Sequence, residues 1–457
     1  MKKRACRIGF LFLGLGILPA TLLAQQATQK TETRKHTDVP APLGGLTPQL
    51  TPPPEGESGT VLTGGLGVNT RYEDNVVALD GSRTGRYLFS VIPSIGLQRL
   101  GQETQWVLDY SGGMTFDQSA FPDGQVTHRG TADIRHDFSR RLSAELREEY
   151  LVSNNPFARI GTSDSLPVLT GPGELSTFGV PSTANQTASI SMASLSYQLG
   201  RRTGMGINGN FSLQRFRDVI TTAGINGGLI DTRTLAGRAF LASQVSPHHT
   251  IGAEYQLQDM AFASGLARMV DHTVFFFDEI SLTSDMRLSL FAGPDRSHLH
   301  NVLNLNPNLT ISVGPALVDE WSWAGGIMYT WQGKRSGFRA SGRRGVSDGG
   351  GFLGAVRLIT ADLGVTTRIA EHSTVFLGTS YSDGRALDAS ANGTGERVTT
   401  AEAHVGIEHR ITRNLFLRGQ YAHVYQPHGE VFIRNILGHR NRVELGLEYE
   451  FHRTLAQ

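Results

Sequence analysis

The chain has 457 residues, of which 54 are glycine, 39% are hydrophobic and 18% are charged. Its apolar share is too low and too evenly spread for a bundle of membrane helices, while 22 Phe, 11 Tyr and 4 Trp argue against disorder. Basic and acidic residues nearly cancel, 42 against 41, which excludes a globally basic nucleic-acid binder.

In chain order, the first element is a targeting segment. Lys2, Lys3, Arg4 and Arg7 precede the apolar run Ile8 to Leu23, and Ala24 ends it, so residues 1–24 read as a secretory signal peptide. The only cysteine, Cys6, falls within it, leaving a mature chain without thiols, as suits an oxidising compartment. Residues 25–58 are polar and then proline-rich (Pro40, Pro42, Pro48, Pro52, Pro53, Pro54), which predicts an extended periplasmic spacer. Four of the five lysines precede residue 59; beyond it, positive charge is carried almost wholly by arginine, which stays charged in low dielectric.

From residue 59 to the end one pattern recurs: segments of roughly fourteen residues that alternate polar and apolar side chains, separated by turn residues. Alternate residues of a strand point to opposite faces, so each segment has one polar and one apolar face. Strands are predicted at 59–73, 85–100, 103–117, 125–139, 140–152, 186–200, 201–216, 231–246, 248–260, 268–283, 285–294, 318–331, 335–345, 352–368 and 372–382. Three more cover the segment ending near 411, then 413–425 and 437–451, for eighteen in all. Short links such as Gly101-Gln102, Gly200-Arg201 and Ala370-Glu371 alternate with longer ones such as 74–84, 153–185 and 295–317. The expectation is an all-β fold, a transmembrane antiparallel β-barrel of 16–18 strands over residues 59–457, set in outer-membrane lipid with tight periplasmic turns and longer external loops.

The apolar face carries aromatic residues at both strand ends: Trp321 and Trp323 at the loop end of 318–331, Tyr329 and Trp331 at the turn end, as two interfacial girdles require. The opposite face should line the lumen. Its charged members include Arg129, Asp133, Arg135, Glu145, Arg147, Glu402, Glu408, Arg410, Arg418, Arg440, Arg442, Glu444 and Glu448. Such residues form cross-strand ion ladders or a transverse field that selects polar solutes. Two long loops are candidates to fold inward as a constriction: 153–185, with Arg159, Asp164 and Glu174, and 295–317, with Asp295, Arg296, His298 and His300. Either could equally cover the external mouth.

Motifs that carry chemistry are sparse. The sequence contains no Gly-x-Ser-x-Gly elbow, His-Glu-x-x-His helix or phosphate-cradling glycine loop, and His298-Leu299-His300 lacks a third metal ligand, so no enzyme activity, cofactor or metal is expected. His272 and Asp278 fall in the apolar register beside Val274, Phe276 and Ile280, an irregularity that a bulge, a register error or a place near the loop end would explain.

Two stretches resemble known families. Glu444 to Phe451, with Gly446, Tyr449 and Phe451 at the characteristic places, resembles the terminal β-signal of outer-membrane proteins, which implies insertion by the barrel assembly machinery. Six residues follow Phe451, where the signal normally ends the chain. Arg71 to Val76 and Ser90 to Leu97 together resemble the opening of the β-barrel porin 2 family, often associated with exopolysaccharide export. That resemblance implies a pore for polar solutes or a partner of polysaccharide export components; a closed adhesion barrel is the alternative.

Overall fold

The structure is a computed structural model describing residues 59–77, 83–101, 103–117, 124–153, 185–217, 231–262, 267–301, 304–305, 311–312, 316–348, 355–387, 397–429 and 438–456. The expected signal peptide and spacer lie outside them. The strands are β1 Thr60–Val77, β2 Arg83–Leu100, β3 Thr104–Asp117, β4 Gly124–Asp137, β5 Leu142–Ser153, β6 Asn185–Gln198 and β7 Thr203–Arg217. They continue with β8 Thr232–Ser246, β9 His249–Phe262, β10 Ala267–Thr283, β11 Met286–Asn301, the two-residue ribbon β12 Asn304–Leu305 and β13 Ile311–Ser312, and β14 Ala316–Gln332. The last are β15 Ser336–Ser347, β16 Val356–Ala370, β17 Ser373–Ala386, β18 Arg397–Arg410, β19 Leu415–Gly429 and β20 Gly438–Ala456.

Eighteen strands form one antiparallel sheet in which each pairs with the next, and β20 pairs with β1 through Arg71↔Glu444 and Gly67↔Glu448. Closure follows from the solvent: hydrocarbon offers backbone groups no hydrogen bond, so an open sheet edge is costly and a barrel has none. Leu108, Ile207, Leu241, Ile327 and Leu445 stand exposed on the outer face, as lipid contact requires. Trp321 and Trp323 are exposed near the loop end, and Tyr329 packs on Phe338 near the turn end, with 5.9 Å between ring centroids. Histidines share the outer face with tyrosines: Tyr110 and Tyr255 hydroxyls meet Nδ1 of His128 and His272 at 2.7 and 2.8 Å. The architecture is that of a bacterial outer-membrane barrel.

Three local features depart from the sequence reading. The first is β11, which passes Pro294 and continues to Asn301. Proline removes one ladder donor, and the pairing of β10 and β11 skips from Thr273↔Asp295 to Phe276↔Ala292, while that of β11 and β14 runs on unbroken. A Cβ on the neighbouring Gly293 would collide with the Val274 carbonyl, so β10 and β11 approach here as only glycine allows. Asp295, Arg296, His298 and His300 therefore stand on a wall strand rather than in a loop.

The second is β10, whose pairing with β9 is continuous from Ala267↔Phe262 to Ile280↔His249, with no bulge. His272 and Asp278 do face outward, one near each strand end. His272 meets Tyr255 at the loop end, and Asp278 Oδ2 lies 3.1 Å from His249 Nδ1 at the turn end. The third is the carboxyl end: β20 runs past Phe451, pairing His452↔Thr63 and Ala456↔Thr60, so the extra residues lengthen the closing strand.

Candidate functional site

The lumen is lined by alternate residues of every wall strand, and its two halves differ. Along β1 to β5 and β18 to β20, opposite charges face each other across strands. Asp133↔Arg147 and Arg135↔Glu145 are direct partners between β4 and β5, and Glu73↔Arg442 between β1 and β20. This placement follows from the period of two: charges at alternate positions fall on one face, and antiparallel pairing sets them side by side.

Glu73 is fully buried and lies 2.8 Å from Arg86 and 3.6 Å from Arg71; Arg71 also donates to Glu444 at 3.1 Å. Glu149 takes Arg129 at 3.0 Å and Arg147 at 3.7 Å, and Arg147 reaches Asp133 at 3.6 Å. Arg135 pairs with Asp137 at 3.3 Å. Further round, Arg418 joins Glu408 at 2.8 Å and Glu448 at 3.0 Å. Arg410 sits at the turn end, its Nη2 3.0 Å from His372 Nδ1. Glu402 lies opposite Ser380 and Val424, and Arg440 opposite Val424 on the other side of β19. Gly446 faces inward beside Arg418, whereas Tyr449 and Phe451 are exposed on the outer face.

Accessibility distinguishes this half. The side chains of Arg129, Arg135, Glu408 and Arg418 retain 32%, 35%, 36% and 42% exposure. They point away from lipid, so the space they meet is the lumen. A barrel of this size leaves an aqueous channel where nothing fills it.

The inner face of β8 to β11 is packed instead. Nearest the turns is an apolar layer, where Phe240, Ala242 and Phe277 cluster with Phe291, which meets Phe275 edge-on at 5.5 Å. Above it lies a buried polar layer, with Arg238↔Gln256↔Thr273↔Asp295 in one row and Gln258↔Asp271↔Ser297 in the next. Asp271 accepts from Ser297 Oγ at 2.7 Å and Thr273 Oγ1 at 3.0 Å. Glu254 and Asp295, each 1% exposed, have no hydrogen-bond donor on either carboxylate oxygen among the described residues. Toward the loops, Met260, Phe262, Met269 and Leu299 form a second apolar layer.

What covers that layer is the β15–β16 tip, meaning the described residues 346–348 and 355–356, together with Leu387 at the end of β17. Val346, Ala355 and Leu387 pack against Met260, Met269 and Leu299, and Thr232 on β8 donates to Asp348 at 3.3 Å. A wall strand shows one face to lipid and one to the lumen, yet the neighbours Val346 and Ser347, and Ala355 and Val356, are all buried. Both faces of the tip are therefore covered, which places it inside the barrel. Of the expected constriction segments, Arg159, Asp164 and Glu174 lie outside the described residues, and 295–301 belongs to the wall. The sequence places 346–351 in an external link and 352–368 in a strand; apolar residues on both registers at 355–359 were the available signal of burial.

Glu73, Arg86, Asp117 and Asp271 complete the polar lining and were not singled out from the sequence, while Asp295, expected in a loop, lines it from the wall. Alternation of Met269, Asp271, Thr273 and Phe275 marked the inward register of β10, but mixed polarity on that face concealed it. No group of three metal-ligating side chains occurs among the described residues, and His298 faces outward with Nδ1 3.4 Å from Asp319.

No family model matches the chain, and no curated protein matches it in sequence. Among solved structures, OccAB4 of Acinetobacter baumannii is similar at 11% identity, covering 88% of this chain and 100% of that one, with a TM-score of 0.44. OpdL of Pseudomonas aeruginosa shares 12% identity over 86% and 99% of the two chains, TM-score 0.41. The ferric-catecholate import receptor Fiu of Escherichia coli K12, in its open form, shares 9% identity over 87% and 82%, TM-score 0.44.

Proposed function

We propose that the protein is a passive outer-membrane channel whose water-filled path follows the charged half of the lumen and conducts polar or charged solutes. The observation that carries this reading is the exposure of inward-facing Arg129, Arg135, Glu408 and Arg418. Both signs line the path in nearly equal number, so the field across it orients dipolar solutes rather than excluding one charge. In this reading the chain makes and breaks no bonds, lies in outer-membrane lipid and is inserted by the barrel assembly machinery through Gly446, Tyr449 and Phe451. Association with exopolysaccharide export, as in the β-barrel porin 2 type, is supported only by the resemblance of residues 71–76 and 90–97.

A second reading, a closed structural or adhesion barrel, is favoured by one observation: the β15–β16 tip fills the loop end of the packed half. Single-channel recording in a planar bilayer separates the two. Open-channel current from folded, heat-modifiable protein is expected; absence of current from such protein overturns the channel.

A further inference from the structure

Among the described residues the wall has a discontinuity. Pairing of β14 with β15 extends only from Gln332↔Gly337 to Gly325↔Arg344, although β14 continues up to Ala316 and β15 up to Ser347. On its other side β14 is paired with β11 to the end, through Asn301↔Ala316. Above Gly325 the two strands part because the β15–β16 tip turns inward. Each parted strand thus has a stretch of edge without ladder partners on the facing strand, a costly state that needs other groups to satisfy it.

Side chains bridge the gap. Arg344 donates to Ser322 Oγ at 3.3 Å and lies over the Trp323 ring at 4.4 Å, while Arg357 from β16 donates to Glu320 at 2.6 Å. Nε of Arg344 and Nη2 of Arg357 are nevertheless buried without an acceptor among the described residues. A buried guanidinium N–H with no acceptor is a place for an anion. Trp321 and Trp323, exposed beside the gap, set its height at the membrane interface. Behind it, Val318 joins the apolar layer of Met260, Met269 and Leu299. One gap therefore connects outer-leaflet lipid, two cationic groups and an apolar patch facing the lumen.

We propose that the parted β14–β15 seam is a lateral port admitting a single-chain amphiphile with an anionic head, the head held by Arg344 and Arg357 and the tail laid on Met260, Met269 and Leu299. Entry requires Val346 and Ala355, which now cover those residues, to yield. The port is separate from the charged path, whose ion conduction does not pass Arg344 or Arg357.

The test uses the full barrel in lipid nanodiscs and a photoreactive fourteen-carbon alkyl sulfonate, with peptide mapping of the labelled sites. Labelling is expected at residues 318–324 and 344–347 and also at inward-facing Met260, Met269 and Leu299. Arg344→Gln with Arg357→Gln should lower it roughly tenfold, the loss of charge-assisted hydrogen bonds. Arg344→Lys with Arg357→Lys should restore most of it, and an alkylammonium probe of equal length should not concentrate there. Label spread evenly around the outer belt, absent from the inward residues, or indifferent to head charge in folded protein overturns the port. Conductance of the glutamine variant is read in parallel: unchanged current with lost labelling supports the port, whereas loss of both in folded protein overturns its independence from the channel.

Discussion

The charged wall of β1 to β5 and β18 to β20 and the packed wall of β8 to β11 are built on the same alternation, yet they reach opposite internal states. On the charged side, many inward carboxylates and guanidiniums are met by an opposite charge on the same or the next strand, so water can occupy the space beside them. Glu73 with Arg71 and Arg86, and Arg418 between Glu408 and Glu448, show this self-sufficiency. On the packed side the same register carries Phe240, Phe277, Met260, Met269 and Leu299, which cannot satisfy one another in water. Phe240 and Phe277 pack with Ala242 and Phe291, while Met260, Met269 and Leu299 take an apolar partner from elsewhere in the chain, the β15–β16 tip. Apolar residues on the lumen register thus mark where a barrel is internally plugged.

The contrast can be broken from either side. Gly293→Val places a side chain against the Val274 backbone, and failure to fold is expected, read as loss of heat-modifiable migration. On the charged side, Glu73→Ala leaves two guanidiniums without their shared carboxylate; a loss of about 3–5 kcal/mol is expected from urea unfolding in detergent or lipid. Met269→Ala, at the centre of the apolar layer, should cost about 2–5 kcal/mol in the same measurement and loosen the tip.

Selectivity sharpens the contrast further. Glu408→Ala removes a negative charge and Arg410→Ala a positive one, so reversal potentials in a salt gradient should move in opposite directions, by a few millivolts to tens of millivolts. A shift of the same sign for both would place the conducting path elsewhere. The smallest effect belongs to a staple: Thr232→Cys with Asp348→Cys fixes the tip to β8, where the native side chains are 3.3 Å apart. Because the proposed path runs along the other half, conductance should hold to within about a fifth of its value, an expectation resting on the separation of filled and open space. Collapse of the current on oxidation would show that the tip gates the whole lumen.

Much of this molecule was readable along the chain because a barrel wall is a local code. The eighteen strands, their alternating short and long links, and the outward row Val443, Leu445, Leu447, Tyr449, Phe451 all follow from period-two patterning and turn residues. The misreadings arose where tertiary pairing overrode a local signal. Pro294 looked like a strand end, but the unbroken β14 ladder carries β11 past it. For His272 and Asp278 a bulge, a register error and a place near the loop end were all open; His272 lies near the loop end and Asp278 near the turn end, where the outer face of a strand tolerates polar groups, and Tyr255 and His249 receive them.

By itself, then, the sequence determined the barrel, the alternation of its short and long links and the two faces of most strands, because each of these depends on neighbours in the chain. The tertiary structure decided which half of the lumen is filled, that the β15–β16 tip fills it, and that the β14–β15 seam parts as a result. Those outcomes depend on contacts such as Thr232 with Asp348, and Val346 and Ala355 with the layer of Met260, Met269 and Leu299, between strands far apart in sequence, where no local period reports who meets whom.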